Sequence, residues 1–180
     1  MRCEMKKTQA SIESLAIMRW RRGHQVFHAL LVTLNSVAEE SLVAIKKGDT
    51  QSLTNNVRYL SVLFNASTAT MKYATDFPAE IYEETIRPSM MPPNVKSGLS
   101  GSLNKEHTVM RKLLLELKES LKNKYGSDHK LWPDELAKAW QELEHAKKLN
   151  RENHGLVCAK FVDDGVSLLA QHYRDRKNHV

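Results

Sequence analysis

The stretch FHALLVTLNSVAEESLVAIKKGD, residues 27–49, decides the fold. Its apolar residues recur every three or four positions, which is the period of an α-helix and not of a strand. The same period extends backwards through Leu15 and Ile12, while Gly48-Asp49 is a typical helix stop. We therefore expect a first helix from about Gln9 to Lys47.

Three further helical segments follow the first. Their expected bounds are Thr50 (as N-cap) to Tyr73, Asn104 to Lys124, and Trp132 to about Gln171, with a bend at Gly155. The sequence thus predicts one all-α domain over residues 1–180. We expect a bundle of about four main helices, preceded by an N-terminal helical extension at residues 1–18.

Composition excludes several classes of protein. With 180 residues, 41% of them hydrophobic and 27% charged, the chain can bury an ordinary core. Its net charge of +6 is spread over scattered basic runs typical of solvated helix faces, so we expect no nucleic-acid partner. The only cysteines, Cys3 and Cys158, provide neither a disulfide framework nor a C-x-x-C metal pair.

Targeting and membrane signals are absent from the sequence pattern. No apolar run approaches the length of a membrane span, and residues 1–7 lack the apolar centre of a signal peptide. We expect a cytoplasmic protein without a membrane partner.

Residues 86–101 differ from the helical pattern around them. They combine three prolines, two glycines and two methionines with Arg87. Proline restricts φ and glycine permits unusual conformations, so such a loop has a defined shape. We expect a substrate or cofactor loop over residues 88–103, although a stiff connector between helices would have the same composition.

Two histidine patterns could carry chemistry. His24 and His28 lie four residues apart on one helix face, where they are either a metal pair or histidines hydrogen-bonded to water. His154 shares a helix face with Val157, Cys158 and Phe161. An imidazole on such a stripe is either a hydrogen-bonded core residue or an axial haem ligand.

A non-haem iron site has less support in the sequence than a haem site. A carboxylate-bridged di-iron bundle presents two Glu-x-x-His pairs, and the chain has one, at Glu142 and His145.

Four segments in order carry a family resemblance. They are His24-Gln25 with residues 30–37 after it, residues 58–63, Tyr82 to Arg87 with the loop to Gly101, and residues 153–158. Together they resemble the tryptophan 2,3-dioxygenase-like superfamily of haem-dependent aromatic oxygenases, including its indoleamine dioxygenase-like and pyrrolnitrin-pathway branches.

The resemblance implies a haem cofactor. It makes His154 the proximal ligand of the haem iron and puts His24 on the distal side as a catalytic residue. The His-x-x-x-Cys arrangement is similar to that of the tyrosine-oxidising members, in which the residue matching Cys158 can bond covalently to haem.

The resemblance also implies a substrate site. Arg87 would bind the carboxylate of an aromatic substrate, and Tyr82, Ser100 and Gly101 would contact the substrate as the loop closes over it.

The expected function is that of a haem-dependent oxygenase or peroxygenase acting on an aromatic amino acid or derivative in specialised metabolism. A non-catalytic helical interaction protein and a non-haem iron oxygenase remain as alternatives. The substrate, the choice of dioxygen or peroxide, and the roles of His28 and His107 stay open.

We also expect a homodimer or higher homo-oligomer. The first helix carries apolar residues on more than one face, at Ile12, Leu15, Ile17 and Met18, and a four-helix monomer would have to cover them while enclosing a haem.

Overall fold

The computed structural model describes the backbone of residues 2–96 and 104–161, and the side chains from residue 10 onward within these ranges. All regular structure in these ranges is helical, with no strand, so the prediction of an all-α chain is confirmed. The predicted Ser97–Gly101 loop segment and the last ten residues predicted for the fourth helix lie outside the described residues.

Four of the helices are longer than twenty residues. The elements in chain order are α1 (Arg2–Lys47), α2 (Thr50–Ala74), α3 (Ala79–Ile81), a π-helical turn (Tyr82–Ile86), α4 (Arg87–Ser89), α5 (Lys105–Tyr125), a 3-10 turn (His129–Leu131) and α6 (Asp134–Phe161).

Glycine and side-chain caps define most helix ends. α1 ends at Gly48, whose φ of +74° suits a residue without a Cβ. The N-cap of α2 is Asp49 and not Thr50 as expected, because the Asp49 carboxylate accepts a hydrogen bond from the Ser52 backbone N–H at 3.0 Å. Asn104 caps α5 in the same way.

The long helices run alternately up and down. α1 turns back into α2 at Gly48, and two contacts show that α5 runs parallel to α1. Asn35 of α1 bonds to Glu106 of α5, and the carbonyl of Ile45 further along α1 accepts from Lys124 further along α5. α6 runs parallel to α2, since Asn150 contacts Thr68 and Lys160 contacts Thr75.

Two apolar clusters hold the chain together. The larger lies between the four long helices and includes Trp140, Leu117 and Leu60, all nearly without solvent contact. The smaller lies where α1, the π-helical turn and the end of α6 meet, and its buried members are Ala16, Phe77, Ile81, Ile86 and Phe161. This second cluster positions the residues of the candidate site.

α1 contains a longer apolar stretch than we expected from the sequence. Residues Ala10–Lys47 contain a window with a mean hydropathy of 1.2, which by length and composition alone would suffice to cross a membrane. The expectation that no apolar run approaches this length is therefore wrong. A core helix of a bundle meets the same criterion, and Leu31, Leu34 and Leu42 of α1 are buried in the larger cluster.

Candidate active site

Four aromatic side chains meet at one end of the bundle, and we call them the aromatic cluster: Trp20, Phe77, Tyr82 and Phe161. The ring centroids are 4.7 Å apart for Tyr82 and Phe161, 5.3 Å for Phe77 and Phe161, and 5.4 Å for Trp20 and Tyr82. Since these residues come from α1, the α2–α3 connection, the π-helical turn and α6, the cluster fixes the relative positions of all four.

His24 lies one helical turn beyond Trp20 on α1. The two ring centroids are 4.1 Å apart, and Nδ1 of His24 lies 2.8 Å from the Trp20 carbonyl oxygen. A carbonyl only accepts, so Nδ1 donates and carries the proton, which leaves Nε2 as an acceptor in the neutral ring. Desolvation lowers the pKa of His24, and its hydrogen bond to Trp20 opposes this effect.

The π-helical turn places Arg87 beside Tyr82. The Arg87 backbone N–H donates to the carbonyl of Tyr82, five residues earlier, which widens the helix at this point. Because helix continues to Ser89, the predicted loop at residues 88–103 begins later than expected. The Arg87 side chain is largely buried, and its Nη1 donates to Oε1 of Glu83 at 2.6 Å.

Tyr82 experiences the charges of several neighbours. Burial raises the pKa of its phenol, the Arg87 guanidinium opposes this rise, and Glu83 and Cys158 add to it. The Tyr82 ring packs against Phe161 of α6 with centroids 4.7 Å apart, one helical turn beyond Cys158.

His154 and Cys158 form a pair on one face of α6. The Cys158 Sγ lies 3.7 Å from Nδ1 of His154. His154 is exposed, whereas Val157 and Phe161 pack into the smaller apolar cluster. His154 therefore lies at the edge of the apolar helix face predicted from the sequence, and its imidazole is accessible to solvent. α6 continues as a helix through Gly155.

His107 is the residue whose role the sequence left open. It lies in the first turn of α5, where its backbone N–H donates to the Asn104 side chain. Burial lowers the pKa of His107, and the electrostatic influence of Arg111 and His154 lowers it further. The imidazole of His107 is thus within electrostatic range of that of His154. Its position just after the glycine-rich loop was the one available sequence signal.

The structure does not bring the remaining candidate residues together with the residues described above. Glu142 and His145 are exposed, and the described residues contain no group of three or more His, Cys, Asp or Glu side chains that could hold a metal ion. His28 is exposed on α1. Ser100 and Gly101 lie outside the described residues.

The surface has two depressions that the candidate histidines and Arg87 do not line. The larger, of about 380 Å³, is at the C-terminal end of α2 and is lined by Lys72, Tyr73, Thr75, Asp76 and Lys160. The smaller, of about 240 Å³, lies at the start of α6. Neither is lined by His24, Arg87 or His154.

Known proteins match this chain in sequence. The sequence model of the family described as SfmD 3-methyl-L-tyrosine peroxygenase matches residues 3–142. The chain is 28% identical over 158 residues to the 3-methyl-L-tyrosine peroxygenase of Streptomyces lavendulae, over 86% of this chain and 40% of that protein. The chain therefore spans about 40% of the length of this curated relative. No solved structure matches.

The family match covers only part of the candidate site. It includes His24, Tyr82, Arg87 and His107, and it ends before His154 and Cys158.

Proposed function

The chain belongs to the SfmD 3-methyl-L-tyrosine peroxygenase family, and from this premise we propose that it takes part in the haem-dependent oxygenation of a tyrosine-type aromatic amino acid. The observation that carries the proposal is the pairing of His154 and Cys158 on α6, where the next residues of the same face, Val157 and Phe161, pack into the apolar cluster that includes Tyr82. We place the family within the tryptophan 2,3-dioxygenase-like superfamily on the motifs described above. The proposal includes a cytoplasmic location.

The donor set suits haem. His154 offers an accessible imidazole nitrogen as an iron ligand, and the Cys158 thiol is one helical turn away on the same face. His107, on a different helix, has a lowered pKa and is therefore largely neutral at pH 7, with a nitrogen lone pair available. Haem, when bound, would supply the iron centre at which the oxidant is activated.

The chain's own residues would bind and orient the substrate. The Arg87 guanidinium would pair with the substrate carboxylate, and Tyr82 of the aromatic cluster would contact the ring. Nε2 of His24 would accept the proton of a phenol hydroxyl, because Nδ1 is already committed to the Trp20 carbonyl. Ser100 and Gly101 are proposed to complete this site from the loop.

The proposed oxidant is peroxide, since the relative from Streptomyces lavendulae is named as a peroxygenase. In such a reaction one oxygen atom passes from hydrogen peroxide to the substrate, and water is released. Product formation with peroxide under anaerobic conditions, and none with dioxygen alone, would support this choice over dioxygenation.

Haem titration of the purified chain tests the cofactor. We expect a Soret band with the wild type, weaker haem binding and a shifted band in His154→Ala, and easier loss of haem in Cys158→Ser. His145→Ala is the matched control, because His145 is an exposed histidine on the same helix away from the group. A wild-type chain without a Soret band, or equal spectra for His154→Ala and His145→Ala, would contradict the proposal.

We further propose a homodimer or higher homo-oligomer. Ile12 and Leu15 of α1 are exposed large apolar residues, as a face covered by a second subunit would require. Light scattering should give at least twice the mass of one chain. A haem-loaded monomer, or unchanged assembly after deletion of residues 1–18, would argue against this arrangement.

A further inference from the structure

We propose that Glu83 binds the α-ammonium group of the substrate while Arg87 binds its carboxylate, so that the two side chains form a clamp for a zwitterionic amino acid. This inference rests on the proposed function and goes beyond it by naming a residue that selects amino acids over simple phenolic acids or amines. We call this pair the Glu83–Arg87 clamp.

The contacts of Arg87 leave room for a ligand. Both carboxylate oxygens of Glu83 accept from the same terminal nitrogen, Nη1 of Arg87. Within the described residues, the side-chain hydrogen bonds of Arg87 all use Nη1, and Nε and Nη2 take part in none of them. The edge formed by Nε and Nη2 has the two parallel N–H groups that pair bidentately with a carboxylate. A substrate carboxylate can therefore bind without displacing Glu83.

Glu83 is the more accessible member of the clamp. Its side chain is 44% exposed, whereas that of Arg87 is 16% exposed. In an α-amino acid the ammonium group and the carboxylate are both attached to the α-carbon. The ammonium group therefore lies beside the carboxylate that Arg87 holds. The Glu83 carboxylate is paired with the same guanidinium and so lies beside that position. The zwitterionic ligand has no net charge, and the Glu83–Arg87 clamp has no net charge either.

The backbone around the clamp is held from two sides. Ile81 and Ile86 are buried in the smaller apolar cluster, and Thr85 donates to Glu13 of α1 at 2.8 Å. Glu83 and Arg87 are therefore carried by a π-helical turn that is anchored to α1. Such anchoring reduces the conformational entropy that ligand binding would otherwise cost.

Tyr82 links the clamp to the rest of the candidate site. Tyr82 directly precedes Glu83 in the π-helical turn, and its ring centroid lies 4.7 Å from that of Phe161, one helical turn beyond Cys158 on α6. An amino acid held by its charged groups at the clamp would thus have its side chain on the same part of the surface as the aromatic cluster and the His154–Cys158 pair.

Calorimetry with three ligands tests the inference on the full chain. The ligands are 3-methyl-L-tyrosine, the same molecule without its amino group, and the same molecule without its carboxylate. In the wild type the amino acid should bind most tightly. Glu83→Gln should weaken binding of the amino acid by about 10- to 100-fold, as expected for loss of a charged hydrogen bond. The same substitution should leave binding of the deaminated acid unchanged or stronger, because a negative charge near its carboxylate is removed.

Glu84→Gln is the matched control, since Glu84 is the neighbouring exposed glutamate and is not part of the clamp. Its affinities should equal those of the wild type. Equal weakening of amino acid and deaminated acid by Glu83→Gln would overturn the inference and leave the proposed function intact. In the wild type, equal affinity for these two ligands would overturn it as well, without the need for any variant. If the haem-loaded wild type bound none of the three ligands, both the proposed function and this inference would be refuted.

Discussion

Gly23 of α1 lies directly against Ala74 of α2. A Cβ added at Gly23 would fall 2.9 Å from the Ala74 Cα and closer still to its Cβ, a separation that real side chains do not adopt. The two helices can cross at this distance only because Gly23 has no side chain. The crossing lies between Trp20 and His24 along α1, so it determines how far the aromatic cluster stands from α2.

Gly23→Ala should therefore destabilise the protein by about 1–3 kcal/mol through overpacking, despite the better helix propensity of alanine. Urea denaturation measures the loss, and adding Ala74→Gly should recover part of it. Gly155→Ala is the control, because an added Cβ there meets nothing within 4 Å. It should stabilise by up to about 1 kcal/mol. A Gly23→Ala protein as stable as the wild type would show that the helices separate at little cost.

Stability should fall as the pH drops below 6.5, in part through His24. Desolvation lowers the pKa of His24 below the ordinary 6.5, so the unfolded chain takes up a proton at a higher pH than the folded chain. The contribution of His24 is therefore present above pH 6.5 and is lost between 6.5 and the lowered folded pKa. Urea midpoints from pH 7.5 to 5.0 should decline less steeply in His24→Gln. An identical slope in the variant would contradict the assignment.

Asn35 should prove essential for docking α5 on α1. It is 6% exposed, and its Nδ2 donates to the Glu106 carboxylate at 2.8 Å and to the Glu106 carbonyl at 3.2 Å. Asn35→Ala should cost about 1–3 kcal/mol. Asn35→Asp should cost more at pH 7, because two carboxylates would then face each other, and less after acidification. Urea midpoints give these values, and Glu106→Gln should restore much of the Asn35→Asp loss.

Haem binding should depend on His107 although the family resemblance assigns it no role. The pKa of His107 on α5 is influenced by His154 on α6, so the two imidazoles are within electrostatic range of each other. His107→Ala should weaken haem binding and change the Soret band relative to the wild type. His129→Ala is a suitable control, because His129 packs against Trp132 at the other end of the bundle. Equal spectra for the two variants would exclude a role for His107 at the cofactor.

The sequence determined the positions of the long helices by itself. Apolar residues at helical spacing predicted the positions of α1, α2, α5 and α6, because each helix must bury one face. Gly48 and Asn104 marked helix ends through their local conformational preferences. The π-helical turn was not predictable in this way, since a single widened turn leaves no periodic signal. The same local rules predicted Thr50 as the N-cap of α2, whereas the structure has Asp49 there. Both residue types can accept the capping hydrogen bond, so the rules do not distinguish them.

Only the tertiary structure decided which of the candidate residues are neighbours. Trp20, Phe77, Tyr82 and Phe161 lie on four different elements, and they meet because α2 folds back along α1 and α6 ends beside the π-helical turn. The Gly23–Ala74 crossing likewise depends on backbone geometry that spacing does not reveal, whereas the Glu83–Arg87 pair follows the i, i+4 spacing of a helix. Local pattern determines where a helix forms, whereas its contacts follow from how the buried faces of all the helices fit together.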